Sequence, residues 1–197
     1  MDLPELLTPE RIRCQCNVQS KKRALQTLSE ILSESLLAPE PAPEPDDVPE
    51  SESESGSNGT ISSIASRLRN SLAKNEEDPE KGTVSEMGIL DAFISRERLG
   101  STCLDHGFAL PHSRIACIDK PVAALITLKD GIDFNAPDKP PVDLVLGLLV
   151  PEESNDEHLK ILASMARRFS DAQFRKDIRG ISDPIKLYDY LNNMQPL

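Results

Sequence analysis

The residues with the most chemical content lie in Gly107-Phe108-Ala109-Leu110-Pro111-His112 and, just before it, in Arg96-Glu97-Arg98-Leu99-Gly100-Ser101-Thr102. A Pro-His pair carries no information alone. Here an apolar run ends in a proline, which fixes its own φ and keeps Leu110 extended, so His112 is presented at a strand end with little backbone freedom. An imidazole held that way suits nucleophilic attack on phosphorus, because its ordinary pKa, about 6.5, leaves the neutral form available at pH 7. Position alone leaves a second reading open, an exposed turn histidine without chemistry. Cys103, His106, His112 and Cys117 lie near one another in sequence, but their spacing matches no zinc motif, and neither a metal nor another cofactor is expected.

Such a histidine needs a framework. Ser20 reads as an N-cap, and Ala24, Leu25, Leu28, Ile31 and Leu32 form the apolar stripe of a helix running to residue 37. A second helix is expected over 87–99, with Ile89, Leu90, Ala92, Phe93 and Ile94 apolar. Strands are expected at 107–110, 122–128 and 142–150, the last two rich in Val, Ile and Leu and bounded by Gly, Pro and Asp. A weaker strand is expected at 11–18, where Ile12, Cys14, Cys16 and Val18 alternate. Further helices are expected at 156–169, along the stripe Leu159, Leu162, Met165, Ala166 and Phe169, and at 184–192. The expected fold class is α/β, a mixed β-sheet flanked by helices.

Between the first two helices, residues 38–59 read APEPAPEPDDVPESESESGSNG, with five prolines, seven acids and no base. That composition predicts a flexible linker rather than helix, sheet or core. Ile61, Ile64, Leu68 and Leu72 then recur at helical spacing, so a short amphipathic helix is expected over 60–74, either docking on something or fraying. The expected organisation is one domain made of residues 1–37 and 84–197, interrupted by an acidic Pro- and Ser-rich insertion at 38–83. Loop-closure cost grows only logarithmically with length, so the interruption is tolerable.

The formal net charge is −11, and seven of those charges sit in the insertion. Binding to nucleic acid or to an anionic membrane surface is not expected, because both draw on clustered Lys and Arg. The opening MDLPELLTPERIR lacks the basic start and apolar run of an export signal, and the most apolar stretch, 142–150, is about half the length a membrane helix needs. A cytoplasmic location is therefore expected, with the four cysteines as reduced thiols.

The combined pattern RExLGST…GxAxPH, with a later histidine in EHLKILASMARRF, resembles the IIA proteins of the bacterial phosphotransferase system, fructose and mannitol type. The opening NVQSKKRALQTLSEIL resembles the nitrogen-regulatory branch. The resemblance runs over 5–37 and 84–195 and lacks a counterpart for the insertion. His106 also departs from it, standing where the family more often has Asn or another small polar residue. The resemblance implies that His112 accepts a phosphoryl group, as tele-phosphohistidine, with His158 as the second active-site histidine and Arg96 as the active-site arginine. The donor it implies is an HPr-like phosphohistidine protein of the nitrogen type, with potassium-transport or sensor-kinase regulatory proteins as downstream partners. The alternative function is a sugar-specific IIA that passes its phosphoryl group to a IIB protein in carbohydrate uptake. These roles suit the side chains: an arginine holds phosphoryl oxygens bidentately, and a histidine in the first turn of a helix lies beside free backbone N–H groups. Ser101 and Thr102 are open to two readings, phosphate donors or turn and capping residues.

Overall fold

A computed structural model describes residues 3–37, 84–153 and 157–194. The expected linker and the helix expected over 60–74 lie outside the described residues. The described elements, in chain order, are helix α1 (Leu3–Leu6), a 3-10 turn (Pro9–Arg11), β1 (Ile12–Cys16), α2 (Lys21–Leu37), α3 (Glu86–Arg98), β2 (Phe108–Ala109), β3 (His112–Ile115), β4 (Val122–Ile132), β5 (Val142–Pro151), α4 (Glu157–Ser170), α5 (Ala172–Gly180) and α6 (Pro184–Asn192).

The sheet is mixed. β1 runs parallel to β4, β4 antiparallel to β5, and β2 and β3 both parallel to β5. Alternate residues of β5 enter two separate apolar clusters. Val145 and Leu149 join Leu25, Leu28, Leu32, Ile89 and Phe93 of α2 and α3. Leu144, Leu146, Leu148 and Val150 join Ile161, Met165, Phe169, Phe174, Ile178 and Leu187 of the last three helices. Helices therefore cover both faces, which is why β5 reads as an unbroken apolar run rather than an alternation. On the α2–α3 side the approach is close: a Cβ on Gly147 would lie 3.1 Å from Leu28 Cδ1 and 3.3 Å from Phe93 Cζ.

Most expected elements lie where the pattern put them. Ser20 caps α2 by accepting from the Arg23 N–H at 3.3 Å. Four elements were not expected: α1, the 3-10 turn, β3 and α5. In addition Leu159, assigned to the apolar stripe of α4, is 56 % exposed, and the helix buries Ile161 instead.

β2 and β3 are one edge strand with a break. Phe108 pairs with Leu144 and Ala109 with Val145, and the same register resumes with His112 opposite Leu148. Pro111, at the gap, has no N–H to give the ladder, although its carbonyl still accepts from Leu148 N at 2.9 Å. Before the strand, Gly107 takes φ +77°, and a Cβ there would lie 3.0 Å from the Pro141 carbonyl oxygen. Only glycine fits this turn, which delivers the strand against β5.

Candidate functional site

Three elements converge on His112, the first residue of β3. They are the last turn of α3, β3 itself, and the first turn of α4. Arg96, His112 and His158 line one cleft of about 640 Å³, together with Ala92, Leu99, Ser113, Arg114 and Val150. All three residues singled out in the sequence are thus brought to one place, although they come from separate elements.

The half-buried imidazole of His112 is held at both nitrogens. Nδ1 lies 2.9 Å from the Leu110 carbonyl oxygen. Arg96 Nε donates to Nε2 at 3.1 Å. A carbonyl only accepts and a guanidinium only donates, so the hydrogen bonds assign the proton to Nδ1 and the lone pair to Nε2. The Leu110 carbonyl belongs to the gap between β2 and β3, and its own N–H is satisfied elsewhere, by Thr102 O at 3.0 Å. Burial pushes the His112 pKa below its ordinary value. The Leu110 hydrogen bond opposes that shift, and the positive charge of Arg96 adds to it. The ring is accordingly neutral at pH 7, with its lone pair turned toward Arg96.

Arg96 is positioned by its helix end. Its Nη1 donates to the Gly100 carbonyl at 3.1 Å, across the turn that closes α3. The following loop is tied back by Glu97, which sequence reasoning had quoted without a role. Its buried carboxylate accepts from Thr102 N at 3.0 Å and Thr102 Oγ1 at 2.5 Å, and pairs with Lys21 Nζ at 2.8 Å. Ser101 Oγ donates to the Phe134 carbonyl at 3.2 Å. The hydroxyls of Ser101 and Thr102 are thus engaged within the fold, Ser101 with Phe134 and Thr102 with Glu97.

Arg114 was also missed. Its Nη2 lies 3.4 Å from Nδ1 and 3.2 Å from Nε2 of His158, so the guanidinium sits against the ring rather than along one lone pair. It stands two residues after His112 on the same strand and lines the same cleft. The signal was the i, i+2 spacing, which is informative only once 112–115 is read as a strand.

The remaining candidates stand apart. His106 adopts φ +67° and is engaged through its carbonyl, which accepts from Arg179 Nη2 at 2.8 Å. Among the described residues no group of His, Cys, Asp and Glu is arranged to hold a metal ion. Burial, with Cys16 close by, pushes the Cys14 thiol up to about 11, and burial raises Cys16 and Cys103 as well. These three thiols are poor nucleophiles at neutral pH. Among the described residues no helix is long and apolar enough to cross a membrane.

The fold is thus a helix-flanked mixed sheet that places a neutral, doubly anchored histidine beside an arginine. Residues 60–194 match the family described as "Phosphoenolpyruvate-dependent sugar phosphotransferase system, EIIA 2", and the chain belongs to that family. Within it the chain falls in the nitrogen-regulatory branch. It is 36 % identical over 107 residues to the nitrogen regulatory protein of Pseudomonas aeruginosa, covering 54 % of this chain and 70 % of that one. With the nitrogen regulatory protein of Klebsiella oxytoca it shares 27 % identity over 192 residues, 97 % of this chain and 90 % of the relative. The crystal structure of nitrogen regulatory protein IIA-Ntr from Neisseria meningitidis superposes with a TM-score of 0.67 at 25 % identity, covering 96 % of this chain and 98 % of that one. Family membership gives the chain a role in phosphotransfer.

Proposed function

We propose that Nε2 of His112 accepts a phosphoryl group from the phosphohistidine of an HPr-like protein, and that the phosphorylated and free forms then bind regulatory partners differently. The observation that carries this reading is the pair of hydrogen bonds at the imidazole. With its proton committed to Leu110, the ring can attack only through Nε2, so the product is the tele isomer. The Nε2 lone pair forms the new N–P bond while the donor's N–P bonding pair returns to the donor imidazole. Positive charge accumulates on the acceptor ring as the bond forms, and the Leu110 carbonyl, accepting from Nδ1–H, stabilises it. Arg96 releases the lone pair it now covers and turns its N–H groups to the phosphoryl oxygens, as a guanidinium beside an oxyanion does. His158 and Arg114 stand on the far side of the cleft, where further donors can meet those oxygens.

The regulatory output rests on the nitrogen-regulatory branch. Adding a phosphoryl group places close to two negative charges in a cleft that holds Arg96 and Arg114 and carries the exposed Leu99 at its rim, so the charge this surface offers a partner changes with the phosphorylation state. Incubation with a phosphorylated HPr-type donor should label His112, with the linkage placed at Nε2 by the nitrogen shifts of the ring. His112→Ala should take up nothing. A phosphoryl group found on another residue, with His112 free, overturns the proposal. Rapid transfer onward to one sugar-specific IIB, without any partner that distinguishes the two forms, would instead assign the chain to carbohydrate uptake.

A further inference from the structure

The last turns of α3 separate two clefts. Ala92, Arg96 and Leu99 face the His112 cleft, whereas Ile94, Glu97 and Arg98 face another of about 480 Å³, completed by Lys21, Lys22, Leu25, Ser101 and Asn135. This second cleft has a size ordinary for small-molecule sites. Its floor is apolar, formed by the buried Leu25 and half-buried Ile94. Its walls hold three cations and one anion, on a chain whose net charge is −11. Lys21 is committed to Glu97, at 2.8 Å, and to the Phe134 carbonyl at 3.3 Å. Lys22 and Arg98 are exposed, and among the described residues neither has a hydrogen-bond or ion-pair partner. Two uncommitted cations over an apolar floor are complementary to a molecule with an anionic head and an apolar body.

We propose that this second cleft binds a small organic anion, a carboxylate or phosphate carried on an apolar body, with Lys22 and Arg98 holding the charge and Leu25 and Ile94 the body. The site also reaches the first cleft. Glu97, in its wall, ties down the Thr102 loop, and its neighbour Arg96 holds His112 from the other side of the same helical turn. Occupancy of one cleft therefore bears on the arginine in the other, a consequence that rests on the phosphoryl-acceptor role of His112. The binding claim does not.

The test uses the full chain, labelled with nitrogen-15, at pH 7 and low salt. Phenyl phosphate and benzoate are titrated separately, with inorganic phosphate and benzyl alcohol as the head-only and body-only arms. Saturable amide shifts at Lys22, Ile94, Arg98 and Ser101 are expected with one or both organic anions. Affinity should fall about tenfold in Lys22→Gln and in Arg98→Gln, the scale of a lost charge-assisted contact. The benzyl alcohol and inorganic phosphate arms should bind at least as weakly as those variants. Saturation with phenyl phosphate alone identifies a phosphate ligand, and with benzoate alone a carboxylate. Absence of saturation by either probe at about 10 mM, shifts centred on His112 instead, equal binding of inorganic phosphate, or affinity unchanged in both variants overturns the proposal. A change in the rate of His112 phosphorylation on adding the probe, lost in Lys22→Gln, reports the coupling separately. If His112 is not phosphorylated at all, the titration still decides the binding claim.

Discussion

Arg96 has two successive partners in the proposed reaction, the lone pair of Nε2 before transfer and the phosphoryl oxygens during it. Arg96→Ala should slow phosphorylation by on the order of 10²–10³-fold, the cost of removing one preorganised donor, with the circular dichroism spectrum unchanged. Arg96→Lys should not restore the rate, because a point charge cannot bond the ring through Nε while spanning to Gly100 O through Nη1. A folded Arg96→Ala protein phosphorylated at the parent rate removes Arg96 from the site. The titration of His112 gives a second check. Its folded pKa lies below the ordinary value, chiefly through burial. Folding thus favours the neutral ring, and the stability it brings is present above the unfolded value, about 6.5, and is lost as the pH falls through the folded value. Urea midpoints taken between pH 7.5 and 5 should decline less in His112→Gln than in the parent over that window. An equal or steeper decline would mean that the ring is not held neutral. At this scale the sequence was partly legible. The proline marked His112 as a constrained strand-end residue but left an exposed turn histidine open, and its role, like those of Arg96 and His158, came only through the family resemblance, because spacing along the chain does not say which helix ends meet. Glu97 stayed silent, since a buried acid between two arginines looks the same in sequence as a solvated one.

At the scale of elements, the end of α3 organises the site, and Glu97 is what fixes that end. It closes the Thr102 loop, holds Lys21 of α2 and lies beside Arg96, so helix, loop and neighbouring helix share one carboxylate. Glu97→Ala should destabilise the fold by about 3–5 kcal/mol, because it strands a half-buried ammonium and a buried N–H. Glu97→Gln keeps an acceptor for Thr102 and should cost less. Urea unfolding measures both, and an Ala variant within about 0.5 kcal/mol of the parent would place the stabilisation elsewhere. Most elements were readable from the sequence pattern: β4 and β5 as Val-, Ile- and Leu-rich runs between turn residues, α2 from its cap and stripe. The misses have physical causes. Pro111 was read as a strand end, but on an edge strand the lost N–H costs only one ladder bond, and tertiary register carries the chain on as β3. Helix α5 reads AQFRKDIRG, with Phe174 and Ile178 as its apolar anchors, and part of what it buries is Arg175, whose Nη1 donates to Phe169 O at 2.6 Å. A buried arginine breaks the apolar pattern that a stripe search follows.

On the scale of the whole molecule, amphipathic helix stripes on either side of apolar strand runs made the fold class legible. Which strand edge would carry the histidine was not, because β2 and β3 take their place in the sheet from β5, a partner more than thirty positions later in the chain. Every element that forms the site lies within 3–37, 84–153 and 157–194. The family match, however, begins at residue 60. Two ideas therefore compete: that residues 38–83 are an insertion dispensable for folding, or that their last part belongs to the domain. Replacing 38–83 with about ten Gly and Ser residues separates them. Under the insertion reading, α2 still ends at Leu37, Ser85 still caps α3 by accepting from Gly88 N at 3.1 Å, and the two helices pack as before. Shortening the connection then lowers the closure entropy lost on folding, so stability should rise by roughly 1 kcal/mol, and His112 should be phosphorylated at the parent rate. A shortened chain that is unfolded by circular dichroism, or that loses several kcal/mol in urea, shows instead that residues between 60 and 83 complete the domain. Restoring 60–83 alone should then recover stability, while restoring 38–59 alone should not, since five prolines and seven acids offer little apolar surface to bury.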